Sequence, residues 1–170
     1  GMSLERDGYN FYMQAAERAS SQRGKEMFID LAEQEEDHLR LLLAEYRTLE
    51  EGQDWLPYED AMEQDFELDP GDPNLPGEEP EDDLPVFTPE REISLEGDIE
   101  ALKYGLETER ISRRLYAQGA EQSDDVQAKE AYKFLIKQEE QHYRILDNTY
   151  KYLSDNETWW DDEQYPFFIG

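Results

Sequence analysis

The amino-acid sequence predicts an all-α protein, a four-helix bundle made of two repeated helix hairpins with a long acidic crossover connection. Two observations support this class. Apolar residues recur every three or four positions in each copy of the repeat, which is the spacing of one face of an α-helix. The chain also matches itself, without a gap, at an offset of 104 residues. We expect a single domain over residues 1–170, since this length suffices for one substantial core.

The internal repeat covers both helices of each hairpin. Residues 24–49 align with residues 128–153, and 11 of these 26 positions are identical. The same offset aligns ERDGYNFYMQAAE, which begins at Glu5, with ERISRRLYAQGAE, which begins at Glu109. The chain therefore contains two copies of one helix pair.

The periodicity places four helices, at about residues 3–20, 24–50, 95–121 and 125–154. Within each pair a short polar turn joins the two helices, and Ser123 or a neighbouring aspartate can cap the last helix. These elements form a first hairpin over residues 2–50 and a second hairpin over residues 91–154.

A connection of different composition separates the hairpins. Residues 51–90 hold 15 acidic residues, no Lys or Arg, and seven of the eight prolines. A disordered spacer is one interpretation of this composition. We favour a connection that packs along the bundle, because it contains many large apolar residues: Trp55, Leu56, Tyr58, Phe66, Leu84, Val86 and Phe87. The tail, residues 155–170, is aromatic enough to dock on this chain or on a second subunit.

The net charge of −28, from 44 acidic and 16 basic residues, argues against nucleic acid and anionic membrane as partners. The chain has no cysteine, which excludes disulfides, thiolate metal sites and thiol catalysis. It has no apolar run long enough to span a membrane and no segment resembling a signal peptide. We therefore expect a cytoplasmic protein.

Two glutamates and two histidines interrupt otherwise apolar helix faces. Glu35 and His38 lie in QEEDH of the second helix, and Glu139 and His142 lie in QEEQH of the last one. These are the only two histidines of the chain. A buried ionised carboxylate is costly unless it is paired or bound to a metal. For one such block a hydrogen-bonded core histidine is the alternative; its repetition favours a metal site.

Two further glutamates complete a ligand set. Glu5 and Glu109 lie on the core side of the first and third helices, each seven residues before a tyrosine, Tyr12 or Tyr116. Four glutamates and two histidines are the ligands of carboxylate-bridged dimetal sites in four-helix bundles. Four carboxylates balance two divalent cations, and oxygen and imidazole ligands suit iron or manganese, with zinc possible.

These motifs resemble the rubrerythrin branch of the ferritin-like superfamily. The resemblance covers all four helices and depends on E-x-x-G-x-x-F-Y from Glu5, E-x-x-S-x-x-L-Y from Glu109 and the two Q-E-E-x-H blocks. It implies a ferritin-like fold and two iron ions. Rubrerythrins reduce hydrogen peroxide at such a centre, whereas ferritins oxidise iron with oxygen.

The resemblance also implies a role for each ligand. The bridging carboxylates would be Glu35 and Glu139, and the terminal ones Glu5 and Glu109. His38 and His142 would each complete one iron. The tyrosines, Tyr12 and Tyr116, would support the ligands through hydrogen bonds.

Two departures from the family bear on function. This chain has no cysteine, and therefore no rubredoxin domain, so electrons would come from a separate protein. Peroxide-reducing members carry an additional carboxylate where this chain has Ser112, and Glu107 lies off that face. We expect a diiron oxidoreductase acting on peroxide or oxygen, in a homodimer. The alternatives are an iron-binding or ferroxidase protein without peroxidase turnover, and a metal-free helical interaction module.

Overall fold

The computed structural model describes residues 1–72, 75–76 and 97–160. These residues form five helices: α1 (Met2–Arg18), α2 (Gln22–Glu50), α3 (Tyr58–Met62), α4 (Asp98–Gln122) and α5 (Val126–Asn156). The four long helices agree with the prediction to within two or three residues at each end, except that residues 95 and 96 lie outside the described residues. The prediction of an all-α bundle is confirmed. The short helix α3, inside the connection, was not predicted.

Side-chain caps fix where the second helix of each hairpin begins. The Ser21 hydroxyl accepts a hydrogen bond from the Gly24 backbone N–H at 3.0 Å. At the equivalent turn of the second hairpin, the Asp125 carboxylate accepts from the Ala128 N–H at 2.9 Å. Because such caps satisfy backbone donors that have no partner inside the helix, they end each turn at a defined residue. An aspartate, rather than Ser123, caps α5.

The two hairpins repeat in structure as they do in sequence. In the first hairpin the Tyr12 and Phe28 rings stack with centroids 6.3 Å apart. In the second hairpin the rings at the equivalent positions, Tyr116 and Tyr132, stack 6.2 Å apart. A stacked aromatic pair at equivalent positions therefore joins the two antiparallel helices of each hairpin.

The hairpins also pack against each other in an antiparallel manner. Tyr12, late in α1, contacts Glu109 in the middle of α4, and Tyr116, later in α4, contacts Glu5 at the start of α1. These contacts make α1 antiparallel to α4. Because each hairpin is itself antiparallel, α2 and α4 run in the same direction. The connection must then cross the length of the bundle, as predicted.

The described part of the connection packs on the bundle instead of forming a spacer. Ala61 of α3 is buried in a cluster with residues of α2, α4 and α5. Arg40 donates a hydrogen bond to the Phe66 carbonyl at 2.8 Å. The buried carboxylate of Glu45 accepts from the Leu56 N–H at 3.1 Å, which holds the first residues of the connection against α2. Three residues on which the prediction depended, Leu84, Val86 and Phe87, lie outside the described residues.

The described part of the tail docks on this chain. The Trp159 indole N–H donates to the Asp98 carboxylate at 2.7 Å, and the same carboxylate accepts from the Ser20 backbone N–H at 3.1 Å. Trp160 is buried in the main apolar cluster. The tail therefore joins the turn of the first hairpin to the start of α4. Residues 161–170 lie outside the described part of the chain.

Two apolar clusters, one toward each end of the bundle, enclose a layer of charged side chains. One cluster includes Phe11, Phe28 and Leu146, and the other includes Leu41 and Leu135. Among the helices of the described residues, none combines the length and the apolar character that a membrane crossing needs.

Candidate metal centre

Six charged side chains occupy the layer between the two apolar clusters, and all six are buried. They are the predicted ligands: Glu5, Glu35, His38, Glu109, Glu139 and His142. Each of the four long helices contributes at least one of them, because the repeat places Glu5 with Glu109 and the two QEE-x-H blocks at equivalent heights. The structure therefore brings together every residue of the predicted ligand set.

One group of ligand atoms surrounds the ring nitrogen Nδ1 of His38. This nitrogen lies 3.2 Å from Glu5 Oε2, 3.3 Å from Glu35 Oε2 and 3.0 Å from Glu139 Oε1. One ligand atom from each of these four residues lies within 4.8 Å of all the others. Glu5 contributes a ligand atom to this group, although it lies close to the first residue of the chain.

A second group surrounds the ring nitrogen Nδ1 of His142. This nitrogen lies 3.3 Å from Glu35 Oε1, and 3.6 Å from both Glu109 Oε2 and Glu139 Oε2. These four residues also offer ligand atoms that lie within 4.8 Å of one another. The two histidine rings stack with centroids 5.3 Å apart, so the two groups are neighbours.

Two carboxylates belong to both groups. Glu35 directs Oε2 toward His38 and Oε1 toward His142. Glu139 directs Oε1 toward His38 and Oε2 toward His142. Each of these glutamates therefore offers one oxygen to each group, whereas Glu5 belongs only to the His38 group and Glu109 only to the His142 group.

The residues fit bound metal ions better than they fit a hydrogen-bonded core. Both carboxylate oxygens of Glu139, Oε2 of Glu109 and Nδ1 of His142 are buried and accept or donate no hydrogen bond of good geometry. A buried polar atom without a partner costs about 1–3 kcal/mol. In each group the ligand atoms lie within 4.8 Å of one another, as carboxylate and imidazole ligands do around a cation.

In the absence of metal the two outer glutamates bind protons more tightly than usual. Burial raises the pKa of Glu5 well above its ordinary value, and the negative charges of Glu139 and Glu35 raise it further. Burial, followed by the charge of Glu139, likewise raises the pKa of Glu109. The folded chain without cations therefore resists having all four carboxylates ionised.

In the shared glutamates and the histidines, by contrast, the surroundings favour the charged form. Burial by itself would raise the pKa of Glu139, but the nearby Glu109 carboxyl and the positive charges of the two histidines outweigh burial and hold the pKa well below its usual value. Burial would lower the pKa of His38 and of His142, yet the surrounding carboxylates raise both well above the ordinary range. In the metal-free chain, protonated histidines therefore supply the positive charge that balances the buried carboxylates.

Two tyrosines join the outer glutamates to the opposite hairpin. The Tyr12 hydroxyl of α1 donates to Glu109 of α4, and the Tyr116 hydroxyl of α4 donates to Glu5 of α1. Burial and the nearby carboxylates raise the pKa of both phenols well above the ordinary value, so both stay protonated and keep donating. The predicted contact of these tyrosines with the ligands is present, and each one crosses between hairpins.

Sequence reasoning missed two residues that contact the centre. A Cβ at Gly8 would lie 3.3 Å from Glu35 Cδ, so Gly8 gives this shared carboxylate its space. The Gln34 side chain lies 3.3 Å from Nε2 of His142. The sequence contained a signal for both residues. Gly8 occupies the position equivalent to Ser112, and Gln34 is the first residue of the repeated QEE-x-H block. Ser112 itself is buried, and Glu107 pairs with Arg110 on the exposed surface.

A sequence model of one protein family, described as Rubrerythrin, matches residues 1–150. This match covers all four long helices except the last residues of α5. No curated protein and no solved structure gave a significant match to the chain.

Proposed function

The chain belongs to the rubrerythrin family, and on that premise we propose that it is a diiron oxidoreductase that reduces hydrogen peroxide at the buried Glu/His centre. The observation that carries the proposal is the sharing of Glu35 and Glu139 between two groups of ligand atoms. Carboxylates that offer one oxygen to each of two neighbouring groups are suited to bridging a pair of cations.

In this proposal two iron ions take the two groups of ligands. Glu35 and Glu139 would help to hold both ions. Glu5 with His38 would complete the site of one ion, and Glu109 with His142 the site of the other. The four carboxylates then carry the charge that two divalent ions need, which is consistent with burial of the whole set.

A bound pair of ferrous ions supplies two electrons, which is the number that cleavage of the peroxide O–O bond consumes, together with two protons, to give two waters. The chain itself holds and shields the centre. The hydroxyls of Tyr12 and Tyr116 donate to the two outer carboxylates and fix their orientation. The apolar clusters on both sides keep bulk water from the buried ligands.

The electrons come from a separate protein, in our proposal, because no cysteine is available to bind a rubredoxin-type iron within this chain. The strongly acidic surface, with its net charge of −28, favours a donor with a basic contact surface. A homodimer and a cytoplasmic location remain predictions.

A second function, iron oxidation for sequestration or delivery, is favoured by one observation. Ser112 lies buried one turn after Glu109, where peroxide-reducing relatives have an additional carboxylate. Without that carboxylate the chain would offer ferric ions fewer ligands, and release of oxidised iron would be easier. The net charge of −28 would also attract ferrous ions to the protein.

Rapid mixing of the iron-loaded, reduced protein with peroxide or with oxygen, at equal concentrations, separates the two functions. We expect the ultraviolet absorption of ferric iron to appear faster with peroxide. Oxidation by oxygen at the same rate or faster would reject the peroxidase proposal in favour of iron oxidation. The Glu35→Ala variant is the control, because it lacks a shared carboxylate and should show no fast phase with either oxidant.

A further inference from the structure

We propose that Gln34 is a positioning residue that holds the His142 imidazole with Nδ1 toward the metal, and that Gln138, its counterpart in the repeat, does not do this for His38. This inference rests on the proposed metal centre and assigns a role to a residue of the QEE-x-H block that is not itself a ligand.

The contact joins the two hairpins. Oε1 of Gln34, on α2, lies 3.3 Å from Nε2 of His142, on α5. The opposite ring nitrogen, Nδ1, is the one that faces Glu35, Glu109 and Glu139. His142 is completely buried, so the amide oxygen takes the place that water would otherwise have at Nε2.

A second hydrogen bond fixes which way the Gln34 amide points. Its Nε2 donates to the backbone carbonyl of Asp30 at 3.1 Å. Rotating the amide by half a turn would set its oxygen against that carbonyl oxygen, which is unfavourable. The oxygen therefore faces His142, and the ring nitrogen Nε2 must carry the hydrogen. In the neutral ring the lone pair is then on Nδ1, where a cation can take it.

The other half of the centre lacks this arrangement. Gln138 lies at the equivalent position of the last helix, one residue before Glu139. Within residues 1–72, 75–76 and 97–160 its side chain makes no hydrogen bond to His38. The position equivalent to Asp30 is Phe134, which packs on the connection. The repeat thus provides a matched control for the proposed role.

Removing the hydrogen-bond partner of a metal-bound histidine typically lowers metal affinity about 10- to 100-fold. Because Gln34 contacts only one of the two histidines, the loss should fall on one ion. We therefore expect Gln34→Leu to weaken one of two binding steps and to leave the other within about threefold of the parent protein.

The test is a zinc titration, followed by calorimetry, of four proteins: the parent, Gln34→Leu, Gln138→Leu and Gln34→Glu. We expect two zinc ions per chain in the parent, one weakened step in Gln34→Leu, and the parent behaviour in Gln138→Leu. Gln34→Glu loses the hydrogen bond to the Asp30 carbonyl but keeps an oxygen acceptor, now negatively charged, within reach of Nε2, so it should restore the weakened step. The thermal midpoint of the metal-free Gln34→Leu protein should stay close to that of the parent.

Proton NMR of the zinc-loaded protein gives a second readout, made simple by the presence of only two histidines. We expect one Nε2–H signal to be shifted downfield and slow to exchange, and to change in Gln34→Leu but not in Gln138→Leu. Equal effects of the two leucine variants, failure of Gln34→Glu to restore binding, or a lower thermal midpoint with unchanged zinc affinity would each overturn the proposal. A parent protein that binds fewer than two ions would overturn the proposed function as well.

Discussion

The first hairpin, α1 with α2, and the second, α4 with α5, supply the same ligands to the centre but have different surroundings. Ala44 of α2 is buried in a cluster with Ala61 of the connection, whereas the equivalent residue of α5, Asn148, is partly exposed. At the turn of the first hairpin, Gly24 lies against Trp159 of the tail, which also contacts Asp98 at the start of α4. The two halves therefore agree where they face the centre and differ where different parts of the chain cover them.

This difference separates residues that serve the centre from residues that serve packing. Glutamate, histidine and tyrosine recur at the 104-residue offset, and in the structure each half supplies one side of the buried Glu/His layer. Outside that layer, the residue at each position depends on which part of the chain packs against it. Where the halves differ next to the centre, as at Gly8 and Ser112 or in the contact of Gln34, the two sides of the centre need not behave alike.

The largest expected effect comes from removing a shared carboxylate. Glu35→Ala takes one oxygen from each group of ligands, so paired metal binding should be lost, and Glu139→Ala should behave in the same way. Glu5→Ala and Glu109→Ala each remove a ligand of one group only and should weaken mainly one ion. Anaerobic titration with ferrous iron measures both steps. Equal and complete loss in Glu35→Ala and Glu5→Ala would contradict the difference between shared and outer carboxylates.

Metal removal should destabilise the bundle, and more strongly at higher pH. The pKa of Glu5 and of Glu109 is raised in the folded chain, so their stabilising contribution is full below the ordinary value of 4.5 and is lost as the pH rises through the raised value. The raised pKa of His38 and His142 adds to this loss above 6.5. The lowered pKa of Glu35 and Glu139 gives a stabilising contribution that is complete above 4.5 and does not change between pH 6 and pH 8. We expect the metal-free protein to melt at lower temperature at about pH 8 than at about pH 6.

Bound metal should reverse this trend, because the ligands bind cations only when deprotonated. Melting curves with and without zinc at both pH values measure the effect. The double variant Glu5→Gln/Glu109→Gln is the control for surface charge, since it keeps the acidic surface but should show a weaker pH dependence without metal. Parallel curves with and without metal would count against coupling between the centre and folding.

A smaller effect should come from the contact between the tail and the first hairpin. A Cβ at Gly24 would lie 2.5 Å from the Trp159 ring, so Gly24→Leu should displace this ring and lower the free energy of unfolding by about 1–3 kcal/mol. In a Trp159→Ala background the same substitution should cost almost nothing, because the clash is gone. Chemical denaturation followed by circular dichroism measures both differences. An equal cost in both backgrounds would show that the tail does not lie on Gly24.

The smallest effect should come from the two tyrosines, and it should be symmetric. Tyr12→Phe and Tyr116→Phe each remove one hydrogen bond to an outer glutamate, worth about 0.5–1.5 kcal/mol. Each variant should therefore lose about 2- to 12-fold in affinity for one ion. Zinc titration of both variants compares the two sides. A tenfold larger effect for one tyrosine than for the other would show that the hydrogen bonds of the two hairpins are not equivalent.

Much of this centre could be predicted from the sequence, because its ligands stand out as ionisable residues on apolar helix faces and occur twice. The repeat also identified the hairpins, since helical spacing is a local property. The pairing of Tyr12 with Glu109 and of Tyr116 with Glu5 could not be derived from spacing, because it depends on how the hairpins dock. The same reason applies to Gln34 and to the docking of Trp159, whose partners lie between 61 and 139 residues away in the chain.

The central claim is that Glu35 and Glu139 lie between two metal ions that the two hairpins hold together. Anomalous X-ray scattering at the iron edge, from crystals grown with ferrous iron under anaerobic conditions, tests it most directly. We expect two peaks per chain, separated by about 3.5–4 Å, with the carboxylates of Glu35 and Glu139 spanning both. A single peak, or two peaks with either carboxylate bound to only one of them, would show that these glutamates do not join a metal pair.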